Sequence, residues 1–220
     1  MAVEVEKSPL RIDVISDTVC PWCYLGKRRL EAAMEATADR YEFRVAWHPF
    51  QLAPDLPPEG RDWNAYTTER FGSLERLAEM QEHLREVGKE AGIHFAFERI
   101  GRAVNTFEAH RLIWMAGEVG LQDEMVEAIF RAYFLEGRDI GDREELVRLA
   151  VGVGMDEERI RGLLESEIGV AEVRAELEQA RRIGITAVPF FVVDGKFWVA
   201  GAQPPKVFVE AFERAAREQA

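Results

Sequence analysis

The chain has only two cysteines, and they sit three apart in the run Cys20-Pro21-Trp22-Cys23. Upstream, Leu10, Ile12 and Val14 alternate with other residues, as they would along a strand. Downstream, Leu30, Ala33, Met34 and Thr37 recur at helical spacing. The pair is therefore expected where a strand turns into a helix. A C-x-x-C pair in that place acts as a redox dithiol.

The position sets the chemistry. A thiolate, not a thiol, attacks a disulfide. Cys20 falls at or just before the first helical residue, and Pro21 suits the first helical position because its missing N–H costs nothing there. Unpaired N–H groups of the first turn and the helix dipole then favour a thiolate at Cys20. Lys27 or Arg28 would add to this if either folds back. Cys23, one turn inside, is expected to be the more buried, resolving thiol. A structural zinc site would need two more ligands at suitable spacing. His48, His83, His94 and His110 supply no second close pair, so no metal site is expected. A disulfide closing so short a loop removes little unfolded-state entropy and would be a poor staple.

A length of 220 residues suits one large domain or a small one with an insertion. With no run of eighteen apolar residues, no transmembrane helix is expected. The segment Met1 to Pro9 leans acidic and lacks the apolar core of a secretory leader, so a cytoplasmic location is expected. A dithiol there is kept mostly reduced and is usually catalytic or redox-sensing. A net charge of −12 argues against nucleic acid as a partner.

A strand over about residues 10–16 and a helix over about 21–38 lead to a second strand, in which Tyr41, Phe43, Val45 and Trp47 alternate. Strand–helix–strand at this length suggests a parallel βαβ unit. A proline-rich loop follows, and from about 62 to 183 the pattern is helical. Asn105 or Thr106 is expected to cap one helix there, and Asp142, with Glu145 three residues on, another. Ile113, Trp114, Phe130, Tyr133 and Phe134 are expected in the core, or partly along a substrate groove beside the cysteines. Residues 187–193 then read as a strand, Asp194-Gly195 as a two-residue hairpin turn and 196–200 as the return strand. A last helix is expected over about 205–216. The fold class is therefore α/β and thioredoxin-like, β-α-β … α-β-β-α, with a large inserted all-helical domain. The expected division is 8–60 and 170–220 for the thioredoxin-like domain and 61–169 for the insertion.

Four segments carry a resemblance to a known family: Cys20 to Gly26, Trp47 to Leu52, Asn105 to Leu112, and Gly184 to Val192. In this order they resemble the DsbA-type thiol-disulfide oxidoreductases, with the cytoplasmic FrnE-like branch nearest, over nearly the whole chain. The resemblance implies Cys20 as nucleophile and Cys23 as resolving thiol, with Pro21 and Trp22 between them as supporting residues. It implies a cis Val188–Pro189 bond opposite the dithiol, with Val188 and Pro189 as substrate contacts. Asn105 and His110 match family positions and are given no catalytic role. The second cysteine pair of some FrnE-like proteins is absent, which excludes a relay within one subunit.

The leading expectation is a cytoplasmic dithiol oxidoreductase or disulfide isomerase acting on protein or small disulfides. It needs no bound cofactor, and glutathione is a candidate co-substrate. A second is a glutathione-dependent enzyme resembling kappa-class transferases or 2-hydroxychromene-2-carboxylate isomerase, with Gly201-Ala202-Gln203 near glutathione. Those enzymes carry serine at the first-cysteine position, which favours redox work here. A third is a non-catalytic peptide-binding chaperone module using an apolar groove near Trp22 and Pro189.

Overall fold

The computed structural model describes residues 7–219. The Met1–Glu6 part of the leader reading and Ala220 of the expected division lie outside them. A four-stranded sheet runs in the order β2 (Tyr41–Pro49), β1 (Ser8–Ser16), β5 (Phe190–Val193), β6 (Phe197–Ala200). β1 and β2 are parallel, with Ile12 opposite Val45. β5 is antiparallel to both β1 and β6. The parallel pair is bridged by α1 (Pro21–Glu35), as the βαβ reading expects.

Alternation along β1 divides its side chains between two cores. Leu10, Ile12 and Val14 are buried with Leu25, Leu30 and Ala33 of α1 and with Phe208 and Phe212 of α9 (Pro205–Gln219). Ile15 points the other way and joins Ala180 of α8 (Val170–Arg182) and Ile185 in a smaller cluster. Each such large apolar side chain, fully buried, contributes about 1.5–3 kcal/mol.

The hairpin differs from the two-residue turn read in the sequence. Asp194 and Gly195 do form its centre, with φ of 50° and 67°, and Lys196 N–H donates to Val193 O at 3.1 Å. Val193 then pairs with Phe197, which leaves Lys196 in the loop. Asp194 also accepts Arg11 N–H at 2.8 Å, so the turn is tied back to β1.

Between β2 and α8 lie six helices: α2 (Trp63–Phe71), α3 (Leu74–Glu90), α4 (Phe107–Glu118), α5 (Gln122–Arg131), α6 (Arg143–Gly152) and α7 (Glu157–Leu164). Two short strands absent from the sequence reading, β3 (Arg61–Asp62) and β4 (Arg102–Ala103), pair antiparallel here. α5 docks on β2 through Gln122, whose side chain bonds both Trp47 N–H and Trp47 C=O at 2.9 and 3.1 Å. Asp142 caps α6 by accepting Glu144 N–H at 2.8 Å. Glu145 turns instead to Arg148 at 2.7 Å and to Arg138. Thr106 is the cap residue of α4, but it is Asn105 whose side chain accepts Phe107 N–H, at 3.0 Å. Arg111, buried in α4, donates to the carbonyls of Leu163, Ser166 and Ile168 at 2.6, 2.6 and 2.7 Å and so holds the entry to α8. No helix among the described residues is long and apolar enough to cross a membrane.

Candidate active site

β1 ends at Ser16, and the chain turns through Asp17, Thr18 and Val19 into α1. Cys20 is the N-cap of α1 in an extended conformation (φ −94°, ψ 110°), and Pro21 begins the helix. No side chain caps the first turn, and the positive end of the helix dipole there favours negative charge at the N-cap. Cys23 lies one turn inside, its N–H donating to Cys20 O at 3.0 Å. Both thiols are free; Cys20 is 4% exposed and Cys23 1%. Burial pushes the Cys23 thiol well above its ordinary pKa, and the neighbouring Cys20 sulfur adds to this. Ser16 and the Asp17 backbone pull weakly the other way.

The Val188–Pro189 bond is cis. It precedes β5, and Cys20 Sγ lies 3.7 Å from Val188 O. Gly26 of α1 faces the same loop. A Cβ there would come within 2.9 Å of the Phe191 ring and 3.0 Å of Pro189. Trp22 leaves the motif toward the inserted helices, its ring 5.9 Å from that of His83 on α3.

Lys27 and Arg28 do not fold back on the sulfur. The Lys27 ammonium, with a side chain 2% exposed, pairs with Asp123 at 2.9 Å and with Glu31. Arg28 pairs with Glu31 at 2.7 Å and with Glu127, and stacks on the Tyr24 ring. One turn of α1 separates them from the motif, and both cations pair instead with Glu31 of α1 and with acidic residues of α5, which docks α1 on α5.

The sequence gives no sign of what Asp17 does. Fully buried, it touches both cysteines through its backbone. Its C=O accepts Cys20 N–H at 3.1 Å, and its own backbone bonds Cys23. Its carboxylate accepts Leu52 N–H at 2.7 Å and lies 3.3 Å from His110 Nε2, which is also 2.9 Å from Phe50 O. Both partners of that nitrogen are acceptors, so Nε2 carries the proton. Asn105 holds the other end of the same loop, donating to Leu56 O at 2.6 Å and accepting from Gln51 at 3.1 Å. His110 and Asn105 thus position the loop beside the dithiol.

Beside Cys20 opens a cleft of about 300 Å³, mostly apolar. Tyr133 and Phe134 line it from a π-helical turn (Ala132–Glu136), a distortion often found at functional sites. Ile113, Trp114 and Phe130 line a separate, water-sized hollow instead. Among the described residues no cluster of His, Cys, Asp or Glu could hold a metal ion. The Gly201-Ala202-Gln203 loop is occupied by the protein itself: Arg29 donates to Ala202 O, and Gln203 to Ala200 O at 3.0 Å.

A dithiol at a helix mouth, opposite a cis-proline loop in a β-α-β … α-β-β-α frame, defines a thioredoxin-fold oxidoreductase. The model of the DSBA-like thioredoxin domain matches residues 11–213. The chain belongs to that family and is a thiol-disulfide oxidoreductase. It is similar to a "probable DsbA oxidoreductase" from Streptomyces coelicolor, with 34% identity, 96% of this chain and 92% of that one covered, and a TM-score of 0.88. The uncharacterized protein YwbO of Bacillus subtilis is 29% identical over 92% of this chain and 95% of its own length. The fold is shared with the cytosolic disulfide reductase DsbM of Pseudomonas aeruginosa, solved with GSH, at 20% identity and a TM-score of 0.64 over 94% and 99% of the two chains.

Proposed function

We propose that the protein exchanges disulfides with protein or small-molecule substrates, Cys20 attacking and Cys23 resolving. The observation that carries this reading is the place of Cys20: N-cap of α1, 3.7 Å from Val188 O, at the edge of an apolar cleft. The Cys20 thiolate attacks one sulfur of the substrate disulfide, forming a mixed disulfide and releasing the other half as a thiolate. Cys23 then gives up its proton, attacks Cys20 Sγ and releases the second half. Two electrons pass from the dithiol to the substrate. Burial keeps Cys23 protonated until the mixed disulfide forms, which suits a resolving thiol. Val188 and Pro189 are proposed as substrate contacts, the Val188 backbone pairing with the chain that carries the disulfide.

Glutathione is proposed as the thiol that returns the protein to its reduced form, and the cytoplasm as its compartment. The cytosolic reductase DsbM, solved with GSH, shares the fold and supports both readings. The test is insulin reduction by wild type, Cys20→Ser and Cys23→Ser. Wild type should be active and Cys20→Ser inactive, while Cys23→Ser should accumulate mixed disulfide. Equal activity in Cys20→Ser and wild type would discard the reading.

A further inference from the structure

Protein interiors leave few voids larger than a water molecule. The cleft beside Cys20, at about 300 Å³, is of another order and reaches the size of small-ligand pockets. Trp63, Phe71, Leu77 and Phe134 give it apolar walls. Among its lining residues a single side chain is charged, Arg70 at the end of α2, and no ion pair engages it among the described residues. Tyr66 lies four residues back on the same helix and also lines the cleft, so its hydroxyl and the guanidinium share a face. That polar pair belongs to the inserted helices, whereas Cys20 and Val188 enter from the thioredoxin frame. Arg70 is exposed, so its guanidinium stands at the mouth of the cleft, where an arginine recognises a carboxylate by paired hydrogen bonds.

We propose that the cleft binds the end group of a low-molecular-weight disulfide, an aromatic or branched apolar group bearing a carboxylate, with the carboxylate on Arg70. This rests on the exchange reading above and names its substrate class. Cys20 attacks the sulfur attached to the bound group, the other half leaves as a thiolate, and Cys23 then releases the bound half. The dithiol loses two electrons and the substrate gains them.

The experiment is a single turnover of the reduced protein with bis(4-carboxyphenyl) disulfide, bis(4-aminomethylphenyl) disulfide and oxidised glutathione. Each rate is normalised to that of the same disulfide with dithiothreitol. The carboxylated aryl disulfide should outpace the cationic one by about threefold, the gain of one solvent-exposed charged pair. A net charge of −12 by itself would give the opposite order. Arg70→Glu should invert the ratio, and Phe71→Ser should slow both aryl disulfides relative to oxidised glutathione. The proposal falls if the ratio in wild type is one or less, if Arg70→Glu leaves it unchanged, or if oxidised glutathione keeps pace with the aryl compounds. If no disulfide reacts faster with wild type than with Cys20→Ser, the exchange reading falls with it.

Discussion

Cys20 Sγ lies 3.7 Å from the carbonyl oxygen of Val188, a residue 168 positions further along the chain. The contact sets the Cys20 sulfur against the loop before β5, while Cys23, 1% exposed, lies deeper. The two thiols are therefore chemically unequal, and burial holds Cys23 in its protonated form. Iodoacetamide at pH 7.5 should label Cys20 first, with Cys23 slower by at least about tenfold, since alkylation follows the thiolate and its access. Peptide mapping after partial labelling decides this, and comparable labelling of the two would contradict the division of roles.

Gly26 keeps α1 close to that loop. A methyl there gains about 1 kcal/mol of helix propensity. It must also displace the Phe191 ring, which is fully buried, and the Pro189 ring. Overpacking of this kind costs about 1–3 kcal/mol. Gly26→Ala should lower the urea midpoint slightly, and Gly26→Val should lower it more. Both should slow disulfide exchange by more than their loss of stability accounts for, because the displaced atoms border Val188. Exchange at the wild-type rate in Gly26→Val would show that this spacing does not matter.

How much of this was legible depended on sequence distance. The strand–CPWC–helix passage and the Asp194-Gly195 turn are local, and the sequence displays them directly. The sequence leaves open whether Lys27 folds back on the thiol, because its partner Asp123 lies 96 residues on, beyond any periodicity. The cleft was legible only in part: Tyr133 and Phe134 were expected in the core or along a groove beside the cysteines, and both line it. Trp63, Phe71 and Leu77 look like ordinary helix residues until α2 and α3 close over α1. The Val188 contact was anticipated only through family resemblance, since no local pattern joins it to Cys20. β3 and β4 are two residues each, too short to show alternation.

The Lys27 cluster holds α1 to α5. Burial alone would depress the Lys27 pKa, but Asp123 and Glu31 outweigh that effect and raise it, so the ammonium stays charged. Lys27→Met removes the buried cation, leaves Asp123 without its partner and leaves Glu31 and Glu127 to Arg28 alone. Breaking a buried pair costs about 3–5 kcal/mol, and the partial exposure of the carboxylates reduces this to roughly 2–4 kcal/mol. Chemical denaturation should show that loss. The dithiol's reduction potential should remain as in wild type, because the cation does not reach the sulfur. A large shift in potential would restore the role that the sequence had suggested for Lys27.

His48 ties β1, β2 and α8 together, with Nε2 2.9 Å from Asp13 and Nδ1 2.9 Å from Glu176. Burial pulls its pKa down, but the two carboxylates outweigh burial and raise it to about 9 from 6.5. For Asp13, burial pushes the pKa up, yet His48 and Arg11 bring it below 3.8. The imidazolium's contribution is therefore complete below pH 6.5 and disappears as pH rises through 9. The Asp13 contribution is present above pH 3.8 and is lost as pH falls through its lowered folded value. The cluster thus stabilises most between about pH 4 and 6.5. Allowing for the ring's partial exposure, the alkaline loss is on the order of 1–3 kcal/mol. Unfolding free energies of wild type should decline from pH 6.5 to 9, and His48→Gln should flatten that decline, since glutamine carries no charge to lose. An unaltered slope in His48→Gln would assign the loss between pH 6.5 and 9 to other groups; Cys23, whose raised thiol pKa acts in the same direction, contributes only above its ordinary value of 9.0.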